Sequence, residues 1–111
     1  MKRVLVCDDD KDILYIMTLA LTGIGWEVKT CEDCDNIIDK INEFDPFVIV
    51  MDNVIPKIGG VSSIKILKSN RRSLHIPVIL CTGDEDILNL ATEARADFYL
   101  SKPFEIKKWR S

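Results

Sequence analysis

The sequence predicts an α/β fold, a doubly wound parallel sheet of five strands with helices on both faces. Two observations indicate this class: short apolar runs alternate with longer amphipathic segments, and several of the runs are almost continuous Val, Ile and Leu. Such alternation is typical of a parallel sheet whose strands are joined by helices. Strands buried on both faces become continuously apolar. The 111 residues, 1–111, are expected to form one domain.

The apolar runs predict five strands. The first, third and fourth are the most aliphatic, so we expect them at the centre of the sheet. In chain order the predicted strands are Arg3–Cys7, Glu27–Cys31, 46–51, 77–81 and 98–100.

Helices are predicted where apolar residues recur at steps of three and four. Asp10 precedes the first helix as an N-cap, although it could equally belong to the acidic group after the first strand. Gly25 follows that helix, where a left-handed residue often ends a helix. The apolar positions are Ile13, Ile16, Met17, Ala20, Leu21 and Ile24; Ile37, Ile38 and Ile41; Val61, Ile64 and Leu67; and Ile87, Leu88, Leu90 and Ala91 in a helix from about Glu85 to Ala94, with a fifth helix beginning near Glu105.

Composition excludes several classes of function. Hydrophobic residues make up 47% and charged residues 30% of the chain, which favours a packed core over disorder. A net charge of −3 argues against nucleic-acid contact by this domain. The apolar runs are far shorter than the roughly 20 residues of a membrane span, so no membrane association is expected. The N-terminus lacks the features of a secretory signal, so a cytoplasmic location is expected.

The four cysteines, Cys7, Cys31, Cys34 and Cys81, are predicted to be reduced thiols. Three of them lie beside apolar strand runs, where Cys behaves as a small hydrophobic residue. Cys31 and Cys34 have CxxC spacing, but acidic residues fill the gap and a structural zinc site needs four ligands.

Polar residues follow four of the predicted strands. Asp8 and Asp9 follow the first, Asp52 the third, Thr82 the fourth and Lys102 the fifth. Ligands of parallel α/β sheets bind beyond the carboxyl ends of the strands, so these groups are expected to converge there. Singly, each is more often a helix cap or a surface residue, and the prediction rests on their coincidence.

The three carboxylates predict a metal ion, because they would repel one another without a cation between them. An oxygen-only donor set without His or Cys favours Mg²⁺, which commonly shares its shell with phosphate oxygens. Lys102 and the Thr82 hydroxyl would contact the same oxygens. Phosphoryl transfer depends mainly on such positioning and charge stabilisation.

These motifs resemble the set that defines response-regulator receiver domains. The residues that carry the resemblance are 4–10, 48–52, 56–60, 82–83 and 101–104, so it spans nearly the whole chain. The resemblance implies a flavodoxin-like strand order 2-1-3-4-5 and a phosphoacceptor switch in a two-component phosphorelay.

The resemblance also implies a role for each site residue. Asp52 would accept the phosphoryl group, with Lys102 and Thr82 contacting its oxygens. The implied Mg²⁺ ligands are Asp8, Asp9, Asp52 and the backbone carbonyl of Val54. The other implied roles are a switch pair, Thr82 and Tyr99, a cis peptide before Pro103, and structural roles for Pro56 and Gly60.

Partners follow from the same resemblance: a sensor histidine kinase or histidine phosphotransfer protein upstream, and an effector or fused output domain downstream. The partner-binding face would comprise the fourth helix, fifth strand and fifth helix, which looks truncated here. Arg95 departs from the family pattern, because it stands where a glycine commonly ends the fourth helix. Either Arg95 is strained or that helix ends differently.

Two other functions stay open at this point. A Mg²⁺-dependent small-molecule phosphatase would also use an Asp nucleophile after a strand, but residue 54 is Val rather than a second Asp. A receiver-like interaction module that is never phosphorylated would not need the full set of polar residues. We therefore expect a switch and not a turnover enzyme.

Overall fold

The computed structural model describes residues 2–53, 59–83 and 87–101. Within those ranges strands and helices alternate strictly. They are β1 (Arg3–Cys7), α1 (Lys11–Gly23), β2 (Glu27–Cys31), α2 (Ile37–Phe44), β3 (Val48–Asp52), α3 (Gly60–Lys68), β4 (Val78–Thr82), α4 (Ile87–Ala94) and β5 (Phe98–Ser101). None of the helices described in these ranges is long and apolar enough to cross a bilayer.

All five strands are parallel and lie in the order β2-β1-β3-β4-β5. The predicted fold class and strand order are therefore confirmed. β1 and β2 have the predicted bounds, whereas β3, β4 and β5 each end one residue later than predicted. β3 also begins two residues later, at Val48, and β4 one residue later, at Val78. Asp52 and Thr82 are consequently the last residues of their strands and do not follow them. Pro77 lies before β4, since proline has no N–H for the ladder.

The sheet separates two apolar layers, as a doubly wound fold requires. One layer packs α1 against the sheet and includes Val4, Val6, Ile13, Leu14, Met17, Val50 and Cys81. The other packs α2, α3 and α4 against the opposite face and includes Leu5, Cys7, Ile37, Ile41, Ile49, Met51, Ile64, Leu67, Leu80, Ala91 and Ala94. Successive strand residues alternate between the layers because strand side chains point to opposite faces.

Helix α1 is capped at both ends as predicted. The Asp10 carboxylate accepts from the backbone N–H groups of Asp12 at 2.9 Å and Ile13 at 3.4 Å. Gly25, with φ +97°, follows the helix. Its N–H donates to the Thr22 carbonyl at 3.1 Å and the N–H of residue 26 donates to the residue 21 carbonyl at 3.0 Å. This pair of bonds is a Schellman motif, which satisfies carbonyls at the helix end.

Helix α4 ends in the same motif with an arginine at the left-handed position. Arg95 has φ +62°. Its N–H donates to the Thr92 carbonyl at 3.2 Å, and the Ala96 N–H donates to the Ala91 carbonyl at 2.9 Å. Of the two alternatives left by the sequence, the structure therefore shows the usual helix end with a non-glycine residue at positive φ. The predicted fifth helix, near Glu105, lies outside the described residues.

A nearly buried lysine connects α3 to the start of β5. Lys68 Nζ donates to Asp97 Oδ2 at 2.7 Å and to the Ile76 carbonyl at 2.9 Å. The same Asp97 oxygen accepts from the Val78 N–H at 2.8 Å. Burial by itself raises the pKa of Asp97, but the hydrogen bonds from Lys68 and Val78 outweigh it and hold the pKa below its ordinary value.

Candidate functional site

Three carboxylates meet at the carboxyl edge of the sheet. Asp8 and Asp9 leave the end of β1, and Asp52 ends the neighbouring strand β3, with Cys7 paired to Met51 in the register. One carboxylate oxygen from each of the three acids lies within 4.8 Å of the other two. The convergence expected from the sequence is therefore present for these three residues.

The three acids differ in their surroundings. Asp8 and Asp52 are buried and Asp9 is exposed. The N–H of Asp10 donates to Asp8 Oδ1 at 2.9 Å, which orients that carboxylate. Two buried carboxylates held this close repel each other, so a cation among them would lower the energy of the site. Hard oxygen donors without a nitrogen or sulfur ligand fit Mg²⁺.

Gly60 allows α3 to start directly against the backbone of the site. A Cβ at this position would overlap the Asp52 carbonyl oxygen and lie 2.7 Å from the Asn53 Cα. The Gly60 N–H donates to the Asn53 carbonyl at 2.9 Å. Only glycine provides room for this approach, so the first residue of α3 fixes the backbone that carries Asp52.

Thr82 lies at the same edge of the sheet, one strand away from Asp52. Asp52 pairs with Cys81, the residue before Thr82, and the N–H of Asn53 donates to the Cys81 carbonyl at 2.9 Å. Thr82 itself is buried at the end of β4. This placement brings a hydroxyl-bearing residue next to the carboxylate group.

Tyr99 lies in β5 with 47% of its surface exposed. It pairs with Leu80, two residues before Thr82, so Tyr99 and Thr82 share one face of the sheet. The remaining predicted site residues, Val54, Pro56, Lys102 and Pro103, lie outside the described residues.

A contact that was not predicted from the sequence lies next to the acids. Cys7 and Cys31 end adjacent strands and their Sγ atoms are 2.7 Å apart. The pairing of β1 with β2 was predicted, so aligning the ends of the two strands would have found this contact. All four cysteines are free thiols in the structure, in line with the prediction.

Comparisons with known proteins show the family of this chain. A family model described as "Response regulator receiver domain" matches residues 4–111. The phosphate regulon transcriptional regulatory protein PhoB of Klebsiella pneumoniae is 32% identical over 109 residues, covering 96% of this chain and 48% of PhoB. The chain thus spans about half the length of this relative.

Solved structures give the same result. The receiver domain of the Francisella response regulator 1452 matches with a TM-score of 0.83 and 30% identity, covering 97% of this chain and 89% of that one. The chemotaxis protein CheY4 of Vibrio cholerae matches with a TM-score of 0.85 over 99% of this chain and 97% of its own. At 23% identity CheY4 supports the fold alone.

Proposed function

Because the chain belongs to the response regulator receiver domain family, we propose that it is a phosphorylation switch of a two-component phosphorelay in which Asp52 accepts the phosphoryl group. The observation that carries this proposal is the meeting of Asp8, Asp9 and Asp52 oxygens within 4.8 Å at the carboxyl edge of a parallel sheet. The protein would catalyse only its own phosphorylation and dephosphorylation.

Asp8, Asp9 and Asp52 would hold Mg²⁺, together with the backbone carbonyl of Val54. When bound, this ion supplies positive charge that offsets the charge on the phosphoryl oxygens. Burial of Asp8 and Asp52 restricts their side chains, so their oxygens are already positioned before a phosphoryl donor arrives.

In the transfer step an Asp52 carboxylate oxygen attacks the phosphorus of a phosphohistidine. The phosphorus–nitrogen bond breaks, the imidazole leaves with the electron pair of that bond, and an acyl phosphate forms on Asp52. The Lys102 ammonium group would neutralise phosphoryl oxygens, and the Thr82 hydroxyl would donate to one of them. Positioning and charge complementarity would account for most of the rate.

The acyl phosphate adds about two negative charges and new acceptor oxygens at the end of β3. Thr82 would move towards them and Tyr99 would follow, which shifts the population of the face formed by α4, β5 and the fifth helix. A sensor histidine kinase or histidine phosphotransfer protein would supply the phosphoryl group. A downstream effector or a fused output domain would recognise the shifted face.

The relative PhoB indicates which kind of output segment this domain would control. PhoB is described as a transcriptional regulatory protein, and this chain spans 48% of its length. We infer that this domain controls an output segment of that kind, which would itself make any DNA contact, because the net charge here is −3. Family membership also supports a cytoplasmic location.

Intact-mass spectrometry after incubation with acetyl phosphate and Mg²⁺ tests the proposal. We expect one phosphoryl group per molecule, absent in Asp52→Asn and absent when Mg²⁺ is chelated. Asp39→Asn is the matched control, because Asp39 is an exposed aspartate on α2 and should leave labelling unchanged.

Full labelling of Asp52→Asn would disprove the phosphoacceptor assignment. Release of many equivalents of phosphate from an aryl phosphate would favour the small-molecule phosphatase instead. No labelling of the folded wild-type protein by either acetyl phosphate or a phosphorylated histidine donor would favour the unphosphorylated interaction module.

A further inference from the structure

Three of the four cysteines form one buried group behind the acidic site. Cys7 ends β1, Cys31 ends β2, and the two residues are direct partners in the parallel register. Cys34 lies before α2, with its Sγ 3.6 Å from Met51 Sδ. All three belong to the apolar layer shared with α2 and α3, whereas Cys81 belongs to the layer on the other face.

The Cys7 and Cys31 thiols are unusually close, with Sγ atoms 2.7 Å apart. Two thiolates bound to one tetrahedral zinc at about 2.3 Å each would be about 3.8 Å apart, so the pair is too close to chelate such an ion as it stands. A disulfide needs its sulfurs at about 2.05 Å and its Cα atoms about 4.4–6.8 Å apart. Neighbouring strands, about 4.8 Å apart, meet the second requirement.

We propose that Cys7 and Cys31 form a reversible intramolecular disulfide when the protein meets a peroxide. The sulfurs would have to approach by about 0.7 Å, a displacement that side-chain rotation can supply. Cys31 is 7% exposed and Cys7 only 1%, so we assign the first oxidation to Cys31.

The chemistry balances in two steps. The Cys31 sulfur attacks one peroxide oxygen, the oxygen–oxygen bond breaks, and a sulfenic acid and one water form. The Cys7 sulfur then attacks the sulfenic sulfur, and the hydroxyl group leaves with the Cys7 proton as a second water. The two thiols lose two electrons and two protons in total, and hydrogen peroxide is reduced to two waters.

This linkage is independent of the proposed phosphorylation, although the two sites are neighbours. The Asp8 N–H donates to the Cys31 carbonyl at 3.1 Å, so the new bond would join β1 to the edge strand β2 directly beside an acid of the site. Formation of the bond needs neither Mg²⁺ nor a phosphoryl donor. A negative result in either experiment therefore leaves the other one interpretable.

The test is a disulfide map of the wild-type chain treated with hydrogen peroxide under native conditions. After alkylation of the remaining thiols, cleavage at Glu32 and Asp33 separates Cys31 from Cys34 and makes the pairing unambiguous. We expect a monomer that has lost two hydrogen atoms, a Cys7 peptide joined to a Cys31 peptide, and alkylated Cys34 and Cys81. Dithiothreitol should restore the original mass.

Variants sharpen the assignment. Cys34→Ser and Cys81→Ser should still form the linkage, with Cys81→Ser as the matched control because Cys81 is equally buried but on the opposite face. Cys31→Ala should lose it, and if Cys31→Ala does not fold, the wild-type map alone decides. A bond through Cys34, a linkage between two chains, oxidation without any linkage, or an equal yield of the same pair in denaturing urea would each overturn the proposal.

Discussion

Two glycines in helices, Gly60 and Gly23, differ in the space available for a side chain. A Cβ on Gly60 would overlap the Asp52 carbonyl, whereas a Cβ on Gly23, at the end of α1, would meet no atom within 4 Å. We expect Gly60→Ala to lower the free energy of unfolding by about 1–3 kcal/mol, because backbone atoms must shift to make room. Gly23→Ala, the matched control, should be neutral or stabilising by up to about 1 kcal/mol. Urea unfolding measures both.

The same substitution should also affect chemistry at Asp52. The displaced backbone carries the proposed phosphoacceptor, so folded Gly60→Ala should take up phosphoryl from acetyl phosphate more slowly than Gly23→Ala. Equal stability and equal labelling of the two variants would contradict the close approach of α3.

Arg95 and Gly25 occupy equivalent positions in two Schellman motifs, with φ +62° and +97°. A side chain in the left-handed region costs roughly 1–2 kcal/mol. Arg95→Gly should therefore raise the free energy of unfolding by about 0.5–1 kcal/mol. Arg95→Ala removes the same long side chain but keeps the Cβ, and it should give no such gain in thermal or urea unfolding. A gain shared by both variants would assign the effect to the arginine side chain.

At the level of residues, the acids of the site could be predicted from the sequence, whereas the contact between two cysteine side chains could not. Asp8, Asp9 and Asp52 were found because residue type and position at a strand end are visible in one dimension. The Cys7–Cys31 contact depends on which strand ends lie side by side. The left-handed Arg95 was visible only as a departure from a family pattern, because local propensity alone disfavours that conformation.

Among the elements, α3 is joined through Lys68 to Asp97, the residue directly before β5. Asp97→Asn removes the ion pair and weakens the bond to Val78. Since the Asp97 side chain is 41% exposed, we expect a loss of only about 1 kcal/mol at neutral pH. Glu43→Gln, an exposed acid on α2, is the control and should be neutral.

The loss of stability in Asp97→Asn should become smaller as the pH falls. The pKa of Asp97 is lowered in the folded protein, so its contribution is complete above the ordinary value of 3.8 and is lost as the pH falls through the lowered pKa. The difference in unfolding free energy between wild type and Asp97→Asn should therefore be constant near neutrality and shrink in acid. A difference that grows on acidification would contradict this assignment.

The order and type of the helices and strands could be predicted from the sequence. The residues at which they end were predicted less accurately. Continuous aliphatic runs identified β1, β3 and β4, and capping residues located both ends of α1. The extra residue at the end of β3, β4 and β5 was missed because Asp52, Thr82 and Ser101 are polar, whereas the ladder hydrogen bonds that extend a strand involve only its backbone.

For the whole molecule, Mg²⁺ should act as a stabilising ligand. An ion that binds only the folded chain adds about 2.7 kcal/mol at 100 times its Kd, so the Tm of the wild type should rise with Mg²⁺ concentration. Asp8→Asn should respond much less, and Asp39→Asn should respond as the wild type does. In the presence of a chelator Asp8→Asn should be more stable than the wild type, because it removes a charge from a crowded group. Thermal unfolding by circular dichroism measures all three.

Helix α3 is attached at both of its ends. Its first residue lies against the Asp52 and Asn53 backbone, and its last residue, Lys68, binds Asp97 and the Ile76 carbonyl. It also packs against α4 within one apolar layer, through Ile64 and Leu67 on α3 and Ala91 and Ala94 on α4. The exposed pair Lys65–Glu93 at 3.0 Å adds a polar contact between the two helices. A helix held in this way has no free end from which to fray, so the backbone beside Asp52 keeps its position even when the surrounding loops move.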